Sequence, residues 1–219
     1  MKRYGVILAA GEGKRFKGEK QFFLVKKRPV LFYSIFAFEN SSVDEIFLVV
    51  PKKETLKIKK LIKKAGFCKV KKVVEGGKTR QESVRNGLSW LPEKGFVAIH
   101  DAARPLITSE DIDKGFKEVE KKGAVIYGVP VIDTVKEVKN KRIIKTIERK
   151  GLFLAQTPQF FKISVIKDAH RIAEEKRIQG TDDAFLCEKA GYPVFVLEGK
   201  RENIKITYPE DINIIKAFL

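Results

Sequence analysis

The stretch Tyr4-Gly-Val-Ile-Leu-Ala-Ala10 is followed directly by Gly11-Glu-Gly-Lys-Arg15, and Lys20 comes five residues later. The apolar run predicts a buried strand, and the loop after it combines glycines with cations. Small residues let backbone N–H groups approach a phosphate chain closely, and fixed positive side chains neutralise its charge. This order of residues predicts a loop that binds a nucleotide polyphosphate.

Two common phosphate-binding loops do not fit this segment. A P-loop requires Gly-x-x-x-x-Gly-Lys-Ser/Thr, and a dinucleotide-binding loop requires Gly-x-Gly-x-x-Gly. Counted from Gly11, the position at which both patterns need a second or third glycine is Phe16. The alternative interpretation is an ordinary turn between a strand and a helix that carries solvated cations, because short glycine motifs also occur by chance.

Length and charge limit the class of protein. The chain has 219 residues, which favours one α/β domain over 1–219, and its 45 Lys and Arg against 28 Asp and Glu give a net charge of +17. This charge attracts anionic ligands without identifying them, so a nucleic acid is the alternative partner. Many lysines lie in 52–64, where they alternate with Leu and Ile as on the solvated face of a surface helix.

Cysteine usage and hydropathy predict a cytoplasmic location. Cys68 and Cys187 lack the spacing of a zinc or redox site, so we expect free thiols in a reducing compartment. No apolar run approaches ~18 residues, and the first residues lead directly into a strand, so neither export nor membrane insertion is expected. His100 and His170 are the only histidines, and a His-based metal site is not expected.

Strand-length apolar runs alternate with helical patterns along the chain. Repeated strand–helix units with Val- and Ile-rich strands imply a mainly parallel, twisted sheet with helices on both faces. The predicted fold class is therefore α/β, a single Rossmann-like domain. Strands are predicted at 4–10, 45–50, 69–75, 96–101, 124–129, 194–197 and 203–206, and helices at 30–39, 52–64, 80–91, 110–121, 163–176 and 182–190, with a closing helix from Pro209.

The pattern changes after Pro130. Short apolar and charged residues alternate in 133–147 around Asn140-Lys141, which predicts a two-stranded antiparallel arm. An isolated hairpin is only marginally stable, so the arm is expected to pack on something, and a second copy of the chain is the simplest candidate. We therefore predict that 131–150 is a protruding dimerisation β-arm.

Residues suited to phosphate and sugar follow several predicted strands. Ligands of open α/β sheets bind at the carboxyl ends of strands, and these ends carry Gly76-Gly77, His100-Asp-Ala-Ala-Arg-Pro105 and Lys205-Ile-Thr-Tyr-Pro209. Taken singly, each residue has an ordinary alternative role. Asp101 could cap a turn, Ser83 could lie on a helix surface and Lys205 could point to water. The combination of strand ends in one sheet favours a ligand site.

A set of strings, in this order, resembles the 2-C-methyl-D-erythritol 4-phosphate cytidylyltransferase family. The resemblance extends from about Tyr4 to Asp211, and ordered agreement of this length is more specific than any single motif. The strings are Leu8-Ala-Ala-Gly-Glu-Gly-Lys-Arg15, Lys20-Gln21, Gly76-Gly77 through Ser83, His100-Asp-Ala-Ala-Arg-Pro105, Pro130 with Asp133-Thr134, Gln156-Thr-Pro-Gln-Phe-Phe161, Thr181-Asp182, and Glu198-Gly with Asn203-Ile-Lys-Ile-Thr207.

The resemblance implies a homodimeric enzyme of non-mevalonate isoprenoid biosynthesis that joins CTP and methylerythritol 4-phosphate with Mg²⁺. It implies that Arg15 and Lys20 stabilise the transition state and that Arg149 and Lys205 position the substrate phosphate. It does not imply a metal ligand on the protein. The residues that it assigns to CTP are Ala9, Ala10, Gly11, Gly13, Gly76, Gly77 and Ser83, and those that it assigns to methylerythritol are Asp101, Thr134, Thr157 and Thr181.

Two other functions are alternatives at this stage. A cytidylyltransferase that uses ribitol 5-phosphate is similar in its first loop and fold, although the residues after Asp101 favour the methylerythritol enzyme. A basic nucleic-acid-binding protein would show a steep salt dependence of affinity, but the sequence has no zinc finger or RNA-recognition signature. We expect neither a nucleic acid nor a membrane as partner.

Overall fold

A seven-stranded sheet forms the centre of the computed structural model, which describes residues 1–11, 16, 18 and 20–219. Two further sheets have two strands each. In chain order the strands are β1 (Arg3–Leu8), β2 (Leu24–Val25), β3 (Arg28–Pro29), β4 (Glu45–Val50), β5 (Val70–Glu75), β6 (Phe96–Asp101), β7 (Ala124–Pro130), β8 (Val135–Lys139), β9 (Arg142–Ile147), β10 (Phe153–Lys162) and β11 (Phe195–Glu198).

Helices cover both faces of the large sheet. They are α1 (Val30–Glu39), α2 (Thr55–Ala65), α3 (Arg80–Leu88), α4 (Ser109–Lys122), α5 (Ile163–Glu175), α6 (Asp183–Lys189) and α7 (Asp211–Phe218). Alternate residues of β1 point to opposite faces. Ile7 packs in a core cluster with side chains of α1, α2 and α4, and Val6 packs in another with side chains of α3, α5 and α6.

The large sheet has the order β11-β7-β10-β6-β1-β4-β5, and most of its pairs are parallel. β1 pairs in parallel with β4 and β6, β4 with β5, and β7 with β11, while β10 is antiparallel to both β6 and β7. This topology confirms the predicted mainly parallel α/β fold.

β10 is the strand of the large sheet that the sequence pattern did not predict, and the two-residue strands β2 and β3 were not predicted either. Polar residues and Pro158 interrupt its apolar pattern, and its register against β7 shifts between Ala155 and Gln159. Its second half is nevertheless buried, and the Phe160 ring has no exposed surface. β10 matters for the site because it places Thr157 beside the end of β6.

The predicted strand at 203–206 is wrong. The segment is assigned no strand, although Asn203 is buried and Ile206 is fully buried. Among the described residues, its backbone makes one hydrogen bond to the segment after β6, from the Ile206 N–H to the Ala103 carbonyl at 2.8 Å. It does not form the series of backbone bonds that pairs two strands. The segment is held by side chains instead, since Asn203 Nδ2 donates to the Thr157 carbonyl at 3.0 Å and Arg104 donates to the Asn203 carbonyl at 2.6 Å.

The predicted hairpin is present as β8 and β9, which form a separate two-stranded sheet. Asn140 and Lys141 turn the chain with φ angles of 49° and 64°, as in the turns that match the twist of paired strands. Almost all of its side chains are exposed, including the apolar Val138, Ile143 and Ile144. The role of 131–150 in dimerisation stays a prediction at this point.

We expect Gly115→Ala to destabilise the fold. A Cβ at this position of α4 would lie 2.1 Å from Cζ of the fully buried Phe160 on β10. Overpacking of a core costs about 1–3 kcal/mol and exceeds the gain of at most about 1 kcal/mol that alanine brings to a helix. Urea denaturation measures the change, and Lys117→Ala, an exposed change on the same helix, should stay within about 0.5 kcal/mol of the wild type. Equal stability of the two variants would contradict the packing argument.

Candidate active site

A cavity of about 450 Å³ opens at the carboxyl ends of β1, β5 and β6. This is the edge where ligands bind in open α/β sheets. Its lining brings together eight of the residues predicted from the sequence, namely Ala9, Ala10, Gly11, Lys20, Gly77, Ser83, Asp101 and Lys205. The remaining lining residues are Leu8, Gln21, Lys78, Thr79, Arg80, Ala103 and Thr207.

The glycine pair after β5 is shaped by close contact with the loop after β1. A Cβ at Gly76 would lie 2.3 Å from the Cβ of Ala10, so only glycine allows the two loops to approach this closely. Gly77 N–H donates to Ser83 Oγ at 3.1 Å, and Ser83 Oγ donates to the Thr79 carbonyl at 2.9 Å. Ser83 therefore fixes the path of the pair as it enters α3.

Thr79 caps the first turn of α3. Its side chain accepts a hydrogen bond from the Glu82 amide at 3.0 Å, and the Glu82 carboxylate accepts one from the Lys78 amide at 2.7 Å. These bonds satisfy amides that a helix start leaves without partners. The cap sets the direction of α3 and so the position of Arg80, its first residue.

Asp101, the last residue of β6, is a buried carboxylate held between two cations. Arg80 Nε lies 3.2 Å from its Oδ1, and Lys205 Nζ donates to its Oδ2. Burial alone would raise the pKa of Asp101, but the charges of Arg80 and Lys205 outweigh it and hold that pKa well below its usual range. Asp101 is therefore ionised at neutral pH, and it fixes the direction of Lys205 into the cavity.

A buried hydrogen-bond chain supports Asp101 from behind. His100 Nε2 lies 3.1 Å from the Arg104 carbonyl, which can only accept, so Nε2 carries the proton. Nδ1 then accepts from the Thr157 hydroxyl at 3.1 Å, and that oxygen accepts from the Asp101 amide at 3.0 Å. Burial lowers the pKa of His100 to about 3, so the ring is neutral and orients Thr157 rather than transferring protons.

Lys20 lies beside the segment that carries Lys205. It begins a short 3-10 helix, Lys20–Phe22, and its ammonium donates to the Ile206 carbonyl. Gln21 is buried, and its Nε2 approaches the Gly11 carbonyl at 3.4 Å. Two predicted cations, Lys20 and Lys205, therefore share one cavity although they are far apart in the sequence.

The other predicted site residues lie elsewhere. Thr157 is buried behind Asp101, with its hydroxyl committed to that residue and to His100. Thr181 is exposed just before α6, and Thr134 and Arg149 are exposed on or next to the β8–β9 arm, outside the cavity lining of their own chain. Gly13 and Arg15 fall outside the residues that the structure describes.

Arg80 is one of the cavity residues that the sequence analysis missed, and it has the most extensive ion pairing among them. Besides its contact with Asp101, its Nη1 lies 2.8 Å from Oδ2 of Asp183, a buried carboxylate at the start of α6. Burial would lower the pKa of Arg80, but the two carboxylates outweigh it and raise that pKa. A cation in the first helical turn after a glycine pair was the available signal, yet its partner Asp183 could not be read from spacing.

Comparison with known proteins identifies the family. The model of the family described as 2-C-methyl-D-erythritol 4-phosphate cytidylyltransferase matches residues 4–219. The chain belongs to this family. It is 44% identical to the protein of that name from Alkaliphilus metalliredigens over 98% of this chain and 91% of the relative, and 44% identical to that from Clostridium kluyveri over 96% and 94%.

Solved structures agree with the family assignment. The crystal structure of 2-C-methyl-D-erythritol 4-phosphate cytidylyltransferase from Thermus thermophilus superposes with a TM-score of 0.81 and 30% identity, covering 97% of this chain and 96% of that one. The 4-diphosphocytidyl-2C-methyl-D-erythritol synthase from Anaerococcus prevotii gives a TM-score of 0.86 at 30% identity, covering 99% and 97%. The family is one of nucleotidyltransferases, which fits the predicted nucleotide loop.

Within 1–11, 16, 18 and 20–219, no three His, Cys, Asp or Glu side chains are grouped so that they could bind a metal ion. None of the helices in that part of the chain has the length and apolarity of a membrane-spanning segment.

We expect the neutral, buried His100 to make stability fall as pH falls. The pKa is about 6.5 in the unfolded chain and about 3 in the folded one, so between these values the unfolded chain binds more protons. The contribution of His100 between pH 7 and pH 5 is a loss of about 2 kcal/mol in the free energy of unfolding. Urea titrations at both pH values should show a smaller loss for His100→Asn, and an unchanged loss would contradict the assignment.

Proposed function

We propose that the chain transfers the cytidylyl group of CTP to 2-C-methyl-D-erythritol 4-phosphate. The products are 4-diphosphocytidyl-2-C-methyl-D-erythritol and pyrophosphate, in non-mevalonate isoprenoid biosynthesis. The observation that carries this proposal is the single cavity shared by the loops at Ala9–Gly11 and Gly77 and by the cations Lys20 and Lys205. Family membership supports the identity of both substrates.

The lining of the cavity suggests where each of the two substrates binds. We propose that cytidine lies against the loop after β1 and the glycine pair Gly76-Gly77, whose lack of side chains admits close approach. The triphosphate would then extend toward Lys20. Methylerythritol phosphate would lie toward Asp101 and Lys205, with Thr181 at the margin and Thr157 acting through Asp101.

The reaction needs charge neutralisation more than proton transfer. A phosphate monoester has a second pKa near 6, so the attacking oxygen is already ionised at neutral pH. It attacks the α-phosphorus of CTP in line, and the bond from that phosphorus to the pyrophosphate oxygen breaks. We propose that Lys20 and Arg15 stabilise the charge that develops toward pyrophosphate, while Lys205 and Arg149 hold the incoming phosphate.

We propose Mg²⁺ as the cofactor, bound mainly through the phosphates. Asp101 is a carboxylate of the cavity, and both of its oxygens already contact cations, so it offers little to a metal. Mg²⁺ commonly retains waters and binds substrate phosphates rather than a cage of protein ligands. When bound, the ion would offset charge on the triphosphate.

We also propose a homodimer in which the arm completes the partner's site. The arm 131–150 exposes Val138, Ile143 and Ile144, an apolar surface that a second chain would cover. Thr134 and Arg149 border this arm, and Arg149 donates to the Ile132 carbonyl within it. A cytoplasmic location is proposed as well, because Cys68 and Cys187 are free.

The decisive assay follows pyrophosphate release from CTP by the purified chain. Methylerythritol 4-phosphate and ribitol 5-phosphate are supplied in separate reactions with Mg²⁺. Release with the first alone supports the proposal, and release with the second alone would establish the ribitol enzyme instead. Addition of EDTA should abolish release, and excess Mg²⁺ should restore it. Salt-sensitive binding of DNA or RNA without any release would favour the nucleic-acid-binding alternative.

We expect Lys20→Ala and Arg15→Ala each to lower kcat by about 10²–10³-fold, because each removes one preorganised charge from the transition state. Steady-state kinetics of pyrophosphate release measures the loss. Lys60→Ala is the matched control, since Lys60 is exposed on α2 and does not line the cavity. Turnover near the wild-type value in both site variants would remove their assigned role.

We expect inactive chains to complement each other if the arms are shared between sites. In a mixed dimer of Arg149→Ala and Lys205→Ala chains, one site contains both residues. With random exchange, half of the dimers are mixed and have one intact site of two, so about a quarter of wild-type turnover should return. A mixture of Lys20→Ala and Lys205→Ala should not recover, because these residues line the cavity of one chain. Equal results for the two mixtures would contradict a shared site.

A further inference from the structure

Arg80 joins two buried carboxylates that come from distant parts of the chain. Its Nε is 3.2 Å from Asp101 Oδ1, and its Nη1 is 2.8 Å from Asp183 Oδ2. The exposed fractions of the two acids are 7% and 1%. The guanidinium fork can contact two carboxylates at once in a fixed geometry, which a lysine ammonium cannot reproduce.

Asp183 also contacts residues of α5 and β10. Its Oδ1 lies 3.2 Å from Nε2 of the buried His170, and its amide donates to Gln159 Oε1 at 3.2 Å. Gln159 belongs to β10, and its Nε2 donates to Asp182, the cap of α6, at 2.7 Å. The far end of Arg80 is therefore anchored to β10, α5 and α6.

The near end of Arg80 acts on the residue that directs Lys205. Asp101 has two carboxylate oxygens, and each has one cation, Arg80 on Oδ1 and Lys205 on Oδ2. Without Arg80, the buried charge of Asp101 would be balanced mainly by Lys205 and its carboxylate could rotate. Lys205 would then be drawn away from an incoming phosphate.

We propose that Arg80 is a positioning residue for the polyol phosphate. It shares the charge of Asp101 and fixes its orientation, so that Lys205 stays directed at the phosphate and keeps N–H donors for it. This inference rests on the proposed function. In this proposal, the buried contacts from His170 through Asp183 to Arg80 hold Asp101 in place. Arg80 itself does not contact the reacting atoms of either substrate.

The positioning role predicts that loss of Arg80 changes the kinetics with methylerythritol 4-phosphate more than the binding of CTP. In Arg80→Gln we expect kcat/KM for methylerythritol 4-phosphate to fall by about 10²-fold, as for a small displacement of a positioned group. The KM for CTP should change far less, because the Thr79 cap and the Ser83 bonds that shape the nucleotide loops remain. Arg80→Lys keeps the charge but not the fork, so its loss should be intermediate.

The matched control is Arg85→Gln, the same substitution five residues further along α3. Arg85 is partly exposed and pairs with Glu174 on α5, outside the cavity lining. We expect near-normal kinetics for this variant. Circular dichroism and urea denaturation of each variant check that the folded chain is being assayed.

A double-mutant cycle separates positioning from a general structural effect. If Arg80 acts through Asp101, then Arg80→Gln should have little further effect on kcat/KM once Asp101→Asn is present. Additive losses, equal losses in Arg80→Gln and Arg85→Gln, or a change confined to the KM for CTP would overturn the inference. Absence of product from the wild-type chain would instead overturn the proposed function, and this inference with it.

Discussion

The site depends on one buried charge, the Asp101 carboxylate at the end of β6. Removing an ion from water costs several kcal/mol unless partners replace the water, so the fold has to bring cations to this point. Arg80 comes from the start of α3, and Lys205 comes from the segment before α7. Satisfying one carboxylate therefore ties three distant parts of the chain to the same edge of the sheet, and the cavity lies between them.

The segment at 203–207 illustrates why position and regular structure are separate questions. Its alternating residues predict a strand. In the structure, however, Arg104 donates to the Asn203 carbonyl and the Asn203 side chain donates to the Thr157 carbonyl, in place of the backbone bonds of a paired strand. The sequence pattern located Lys205 at the correct edge of the sheet for the wrong reason. Side-chain hydrogen bonds, which depend on residues about 50 and 100 positions away in the chain, decide the actual path.

Elements with a clear period were predictable and contacts between distant residues were not. The helix Val30–Glu39 and the strands Glu45–Val50 and Phe96–Asp101 have the predicted bounds, because most of their residues are apolar and polar residues lie mainly at their ends. β10 was missed because its polar residues face inward to Asp101 and Asp182 rather than to solvent. Arg80 was missed because its ion-pair partner Asp183 lies 103 residues later in the chain. The periodicity of a sequence carries no information about such a distant pair.

The charges in the cavity give a physical reason for a second chain to take part. Lys205 and Arg80 are already opposed by Asp101, and Arg80 is opposed by Asp183 as well. These four groups carry two positive and two negative charges, so by themselves they offer little net positive charge to a phosphate dianion that must approach a triphosphate. In the proposed homodimer, an arginine brought by the arm of another subunit would add a cation, because among the described residues Arg149 contacts the Ile132 carbonyl and forms no ion pair with a carboxylate. On this argument, the arm of the proposed homodimer would supply positive charge that the buried ion pairs of a single chain do not leave free.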